Sequence, residues 1–173
     1  MKNKLKIFVV FIGCLLFRLM PLRAPNLEPI MASLMPISRK YGAIIAFFFA
    51  FSGMVLYDII TGHVGLWTWT TSITYGIIGI FSAIYFKKFK TKTTNFVIFA
   101  FLGTIFFDTV TGVLFAPAFG QSMSSAFLMQ IPFTLLHLAG NIGFALTLSP
   151  ILNKWFSKEN IFASKKVLVS SSA

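Results

Sequence analysis

Residues 49–62 read FAFSGMVLYDIITG, and residues 99–112 read FAFLGTIFFDTVTG. Seven of the fourteen positions are identical: Phe49, Ala50, Phe51, Gly53, Asp58, Thr61 and Gly62 match Phe99, Ala100, Phe101, Gly103, Asp108, Thr111 and Gly112. The chain has only four acidic residues, and two of them occupy the matched place in each copy. The economical reading is a duplicated apolar helix that carries a carboxylate to the same membrane face twice. The Asp-x2-Thr-Gly ending fits a helix stopped by a left-handed glycine, a cap that does not itself require the Asp.

Working outward from the repeat, the composition leaves one class. Of 173 residues 57% are hydrophobic, only 11% are charged, and 22 are Phe. A soluble domain of this size could not bury so much apolar surface, so the chain reads as an integral membrane protein. The net charge of +11 comes from basic residues in short connectors between apolar runs. That pattern orients a chain in the bilayer and attracts anionic headgroups, so the expected partner surface is the lipid bilayer and not nucleic acid. The single cysteine, Cys14, excludes an intramolecular disulfide. Lys2, Lys4 and Lys6 precede an apolar run as in a secretory leader, and Phe11-Ile12-Gly13-Cys14 loosely resembles a lipoprotein cleavage box. The run before Cys14 is short and continues through Phe17, so the segment is expected to stay as a helix.

Six apolar segments follow, at about 5–17, 27–37, 41–60, 66–86, 94–110 and 124–148. The last four are long enough to cross a core of about 30 Å at about 1.5 Å per residue. The second is short and bracketed by Pro29 and Pro36. If all six cross with the N-terminus inside, the inner side carries thirteen Lys and Arg, and the outer side only Arg18 and Arg23. This positive-inside bias predicts an all-α membrane protein with six transmembrane helices and both termini cytoplasmic, in the plasma membrane. One six-helix domain covers residues 1–156, and a short disordered cytoplasmic tail covers 157–173.

This topology gathers Arg18, Arg23, Asn26, Glu28, Asp58, His63, Trp67, Trp69, Asp108 and Gln121 toward the outer face. Asp58 and Asp108 fall in the last turn of their helices, where the dipole disfavours a carboxylate. Each therefore needs a positive partner or a task, either ligand contact or bracing of the rim. His137 and Asn141 share one face of the sixth helix, with Gln130 about two turns above. Buried in lipid, such groups line a binding cavity or lock helix packing. Trp67 and Trp69 suit an interfacial belt or an aromatic platform. Gly76, Gly79, Gly140 and Gly143 suit close helix contact. His63 and His137 lack metal-ligand spacing and Cys14 has no obvious partner, so no metal site is expected. No nucleophile is paired with a base and no phosphate-cradling loop occurs. The chain is therefore not expected to be an enzyme, to hold a cofactor, or to power transport by itself.

Several segments taken together resemble a known family. They are Pro25-Asn26-Leu27-Glu28-Pro29, Arg39-Lys40-Tyr41-Gly42, the Gly53 to Gly62 helix, Gly65-Leu66-Trp67-Thr68 before Tyr75-Gly76-x2-Gly79, and Pro132-Phe133-x3-His137-x2-Gly140-Asn141. Their order over about residues 5–156 resembles the substrate-specific (S) component of energy-coupling factor transporters, in the group whose ligand is often unassigned. The resemblance implies a six-helix bundle that captures a vitamin or related micronutrient at its outer side. It also implies partnership with a transmembrane coupling (T) subunit and two cytosolic ATPases, which would topple the bundle and release ligand inside. The implied pocket region comprises Arg18 to Glu28, Asp58 to Trp69, and Asp108 through Gln130 to His137 and Asn141. S components often carry Ala-x3-Ala on the first helix for docking; here the motif is Ala46-x3-Ala50 on the third. Two other readings stay open: a structural or assembly membrane protein whose polar groups pair internally, and a solitary secondary carrier.

Overall fold

A computed structural model describes the backbone of residues 2–21 and 26–170 and the side chains of residues 4–21 and 26–157. Six α-helices follow the six apolar segments: α1 (Lys2–Leu19), α2 (Ile30–Tyr41), α3 (Ala43–Thr61), α4 (Leu66–Lys88), α5 (Thr93–Asp108) and α6 (Met123–Ser170). A π-helical turn, Thr109–Leu114, extends α5, and a 3-10 turn, Ala116–Phe119, leads toward α6. Six crossings are expected from the sequence, but among the described residues four helical stretches meet the length and hydropathy of a membrane span: Ala43–Thr61, Leu66–Lys88, Thr93–Leu114 and Met123–Ser157. α1 has 18 residues but carries Lys2, Lys4, Lys6 and Arg18. α2 has 12 residues, about 18 Å of helix. Residues 157–173, expected as a disordered tail, fall almost wholly outside the described side chains.

The short helix is the centre of the bundle. Nine consecutive residues of α2, Ile30 to Ser38, are buried, because α3, α4, α5 and α6 all pack on it. A helix surrounded in this way has no polar face to spare. Its polar atoms are met by its neighbours: Ser33 Oγ lies 3.3 Å from Cys14 Sγ of α1, and Ser38 Oγ lies 2.7 Å from Ser82 Oγ of α4. Pro36 has no N–H, so the carbonyl of Ala32, four residues earlier, loses its helical donor. Ser149 of α6 supplies the replacement, its hydroxyl donating to Ala32 O at 2.8 Å.

Glycines set the closest helix pair. A Cβ on Gly79 would lie 2.8 Å from the Ala46 backbone, and one on Gly76 would lie 2.5 Å from the Phe47 ring. Ala46 and Ala50 are both fully buried against this face, so the Ala46-x3-Ala50 motif is consumed by α3–α4 packing. Gly140 is also a close approach, with Leu27 Cδ1 3.1 Å from its virtual Cβ. Gly143 is not, since nothing lies within 4 Å.

The two repeat copies end differently. Gly62 caps α3 at φ 73°, with His63 N–H donating to Asp58 O at 2.9 Å, as the left-handed reading predicts. Gly112 does not stop its helix. It lies inside the π-helical turn and is absent from the positive-φ glycines, which are Gly42, Gly62 and Gly120. Its smallness serves α6 instead: a Cβ there would lie 2.0 Å from Gln130 Oε1.

Contacts along α6 assign the ends of the bundle. Lys6 Nζ donates to Trp155 O at 2.9 Å, Asn153 Nδ2 donates to Thr91 Oγ1 at 3.3 Å, and the Tyr41 and Phe156 rings are 5.6 Å apart. The start of α1, the end of α2 and the α4–α5 connector therefore share one end, and it is the lysine-rich end. The α3–α4 connector and the turns after α5 lie at the other.

Candidate functional site

At the end remote from the lysines, a pocket of about 290 Å³ opens between the start of α4, the turns after α5 and the start of α6. Trp67, Gln121 and Gln130, all expected site residues, line it together with Thr111, Phe119 and Phe133. Trp67 and Phe119 meet edge to face at 5.7 Å. Gln130 reaches the pocket because Gly112 leaves room for its carboxamide, and its Nε2 donates to Thr134 Oγ1 at 3.3 Å. The lining contains no Lys, Arg, Asp or Glu.

The charged candidates lie elsewhere, in two buried networks. Beneath the pocket, Asp108 Oδ1 pairs with His137 Nδ1 at 2.8 Å. Phe133 links that pair to the pocket, its ring 6.2 Å from the imidazole. One turn deeper, Asn141 Nδ2 donates to Thr104 Oγ1 at 2.8 Å. The pocket and these two bonds form a continuous polar seam between α5 and α6, built by residues spaced three or four apart on each helix. Asp108 Oδ2 and Asn141 Oδ1 are buried along the seam with no hydrogen-bond partner among the described residues.

In the second network, Arg18 at the end of α1 pairs with Glu28, which also accepts from the Tyr75 hydroxyl of α4. The Arg18 guanidinium stacks 4.3 Å from the Tyr57 ring centre and contacts Met54 Sδ, fastening α1 to α3. Tyr75 and Phe107 rings, 4.7 Å apart, join this network to the seam. An apolar interior tolerates such charges only when paired; Arg18 and Glu28 pair, while Arg18 Nε is buried with no hydrogen-bond partner among the described residues.

The remaining candidates disperse. Asp58 is buried, yet its side chain makes no ion pair or hydrogen bond among the described residues, and Arg18 turns to Glu28 instead. His63 is exposed in the α3–α4 connector. Trp69 is half exposed and rests on Phe51, 6.5 Å away, away from the pocket. Asn26, at φ 60°, ties the loop before α2 to α6 through Phe133 O at 3.5 Å. Arg23 lies outside the described residues. No group of three or more His, Cys, Asp or Glu suited to a metal occurs among the described residues.

Sequence reading did not single out Phe119, Phe133 or Thr104 as site residues, nor Tyr75 as a network member. Phe133 was findable, since it precedes His137 by four residues on one helical face. Tyr75 and Thr104 were not, because their partners are 47 and 37 residues away in sequence. Comparison with family models, curated proteins and solved structures gives no match.

Proposed function

We propose that this chain is the substrate-binding S component of an energy-coupling factor type importer. It captures a vitamin or related micronutrient at its outer face and passes it to a transmembrane coupling subunit and two cytosolic ATPases. The observation that carries the reading is the aromatic and carboxamide pocket at the end of the bundle remote from the lysines. Positive-inside orientation turns that end outward and leaves both termini in the cytoplasm, in the plasma membrane. In this reading α1 and α2 also cross, and α2 is short because its surroundings are protein and not lipid. Irregular and polar backbone at membrane depth is tolerated where protein surrounds it, and the Ala32–Ser149 bond is an instance. Docking of the coupling subunit would use a surface other than Ala46-x3-Ala50.

Affinity purification of the tagged chain from its native membrane, followed by native mass spectrometry, tests the proposal. Expected are a retained small molecule and co-purified ATPase subunits. Absence of both overturns it. The Arg18–Glu28 and Asp108–His137 pairs favour a second reading, a structural or assembly protein whose charges only brace the bundle. Substitution of the pocket side chain, Gln130→Leu, separates the two: lost uptake with intact folding supports import, and unchanged uptake supports bracing.

A further inference from the structure

The lining of the pocket narrows its ligand, on the premise that this pocket is the capture site. We propose that it takes a small, uncharged, planar ring bearing adjacent hydrogen-bond donor and acceptor groups, of the carboxamide or lactam kind. Four observations converge. The volume of about 290 Å³ sits at the lower limit of small-molecule pockets, about 300 Å³, which suits one or two rings and excludes a macrocycle. Three aromatic side chains, Trp67, Phe119 and Phe133, belong to the lining.

The third observation is polarity without charge. Gln121 and Gln130 each present a carboxamide, a donor and an acceptor side by side, which pairs with another amide in either orientation. The Gln121 side chain has no hydrogen-bond partner among the described residues, and Gln130 makes only the bond to Thr134. Thr111 has already donated its hydroxyl to Phe107 O at 2.8 Å, leaving lone pairs to accept.

The fourth is that no charged side chain belongs to the lining. Arg18 is held by Glu28 and Asp108 Oδ1 by His137. An anionic ligand would find no cation in the lining, and a cationic one no carboxylate. Burying either unpaired is disfavoured. Gly112 leaves the space that the Gln130 carboxamide fills, since a Cβ there would lie 2.0 Å from its Oε1.

The test uses the full chain in detergent and isothermal titration with matched probes. Nicotinamide, uracil and 2-pyridone represent the uncharged class; nicotinate and 3-picolylamine carry a negative and a positive charge on a similar ring. At least one uncharged probe is expected to bind at least tenfold more tightly than both charged ones. Gln130→Leu should reduce that affinity at least tenfold, and Gln121→Leu, at an exposed position, should reduce it as well. Preference for a charged probe, no binding by any uncharged probe, or unchanged affinity in both variants overturns the inference. The two proposals fail separately. A charged molecule retained alongside ATPases sinks the ligand class and leaves import standing, whereas uncharged-ring binding without ATPase capture does the reverse.

Discussion

Ser149→Ala removes one hydroxyl, yet its effect should depend on a proline 113 residues away, because Ser149 serves the carbonyl that Pro36 leaves without a donor. The bond is 2.8 Å long and both Ser149 and Ala32 are fully buried. A buried acceptor left unpaired costs about 1–3 kcal/mol. Interhelical hydrogen bonds in membrane proteins average nearer ~0.6 kcal/mol, so a loss of about 1–2 kcal/mol is expected. Pro36→Ala restores an N–H that can reach Ala32 O along the helix. In that background Ser149→Ala should cost less than about 0.5 kcal/mol, giving a coupling near ~1 kcal/mol. Reversible unfolding of the four proteins of the cycle in mixed micelles measures it. Equal penalties in the two backgrounds would refute the argument that Ser149 substitutes for the missing amide.

Three further outcomes follow from the packing. Gly79→Ala presses a methyl onto the Ala46 backbone at 2.8 Å and should destabilise by about 1–3 kcal/mol, while Gly143→Ala meets open space and should stabilise by about 0.5–1 kcal/mol; thermal melting in detergent compares them. His137→Leu strands Asp108 and should cost about 3–5 kcal/mol, but Asp108→Leu with His137→Leu should recover most of that loss, read as folded yield by size exclusion. Gly62→Ala, at φ 73°, should lower stability by about 1 kcal/mol without touching ligand, whereas Gly112→Ala should displace Gln130 and weaken ligand binding; paired melting and titration separate the two, and identical behaviour would contradict the different endings of the repeat.

Binding measurements on these variants also separate bracing from recognition. Arg18 lies inside an ion pair and Asp108 is hydrogen-bonded to His137, so their loss should appear first in stability. Gln121 and Gln130 face the pocket, so their loss should appear first in affinity.

The order of all six helices and the approximate limits of the first five were legible in the sequence, because apolar runs and their Gly, Pro and Lys interruptions are local properties; α6 runs on to Ser170, past the expected end at about 148. So was the gathering of lysines at one end, which the α6 contacts of Lys6, Thr91 and Tyr41 bear out. Topology alone placed Trp67 and Gln121 at one face, and helical spacing placed Gln130 above His137 on α6. Tertiary structure decided the rest. Asp58 and Asp108 are twins in sequence, yet only Asp108 faces a histidine, because only its helix packs along α6. Gly62 and Gly112 are twins too, but one turns the chain and the other admits a side chain. Local sequence dictates where helices begin and which groups they carry. Which of those groups meet depends on neighbours dozens of residues away, and so does the difference between a buried brace and a pocket wall.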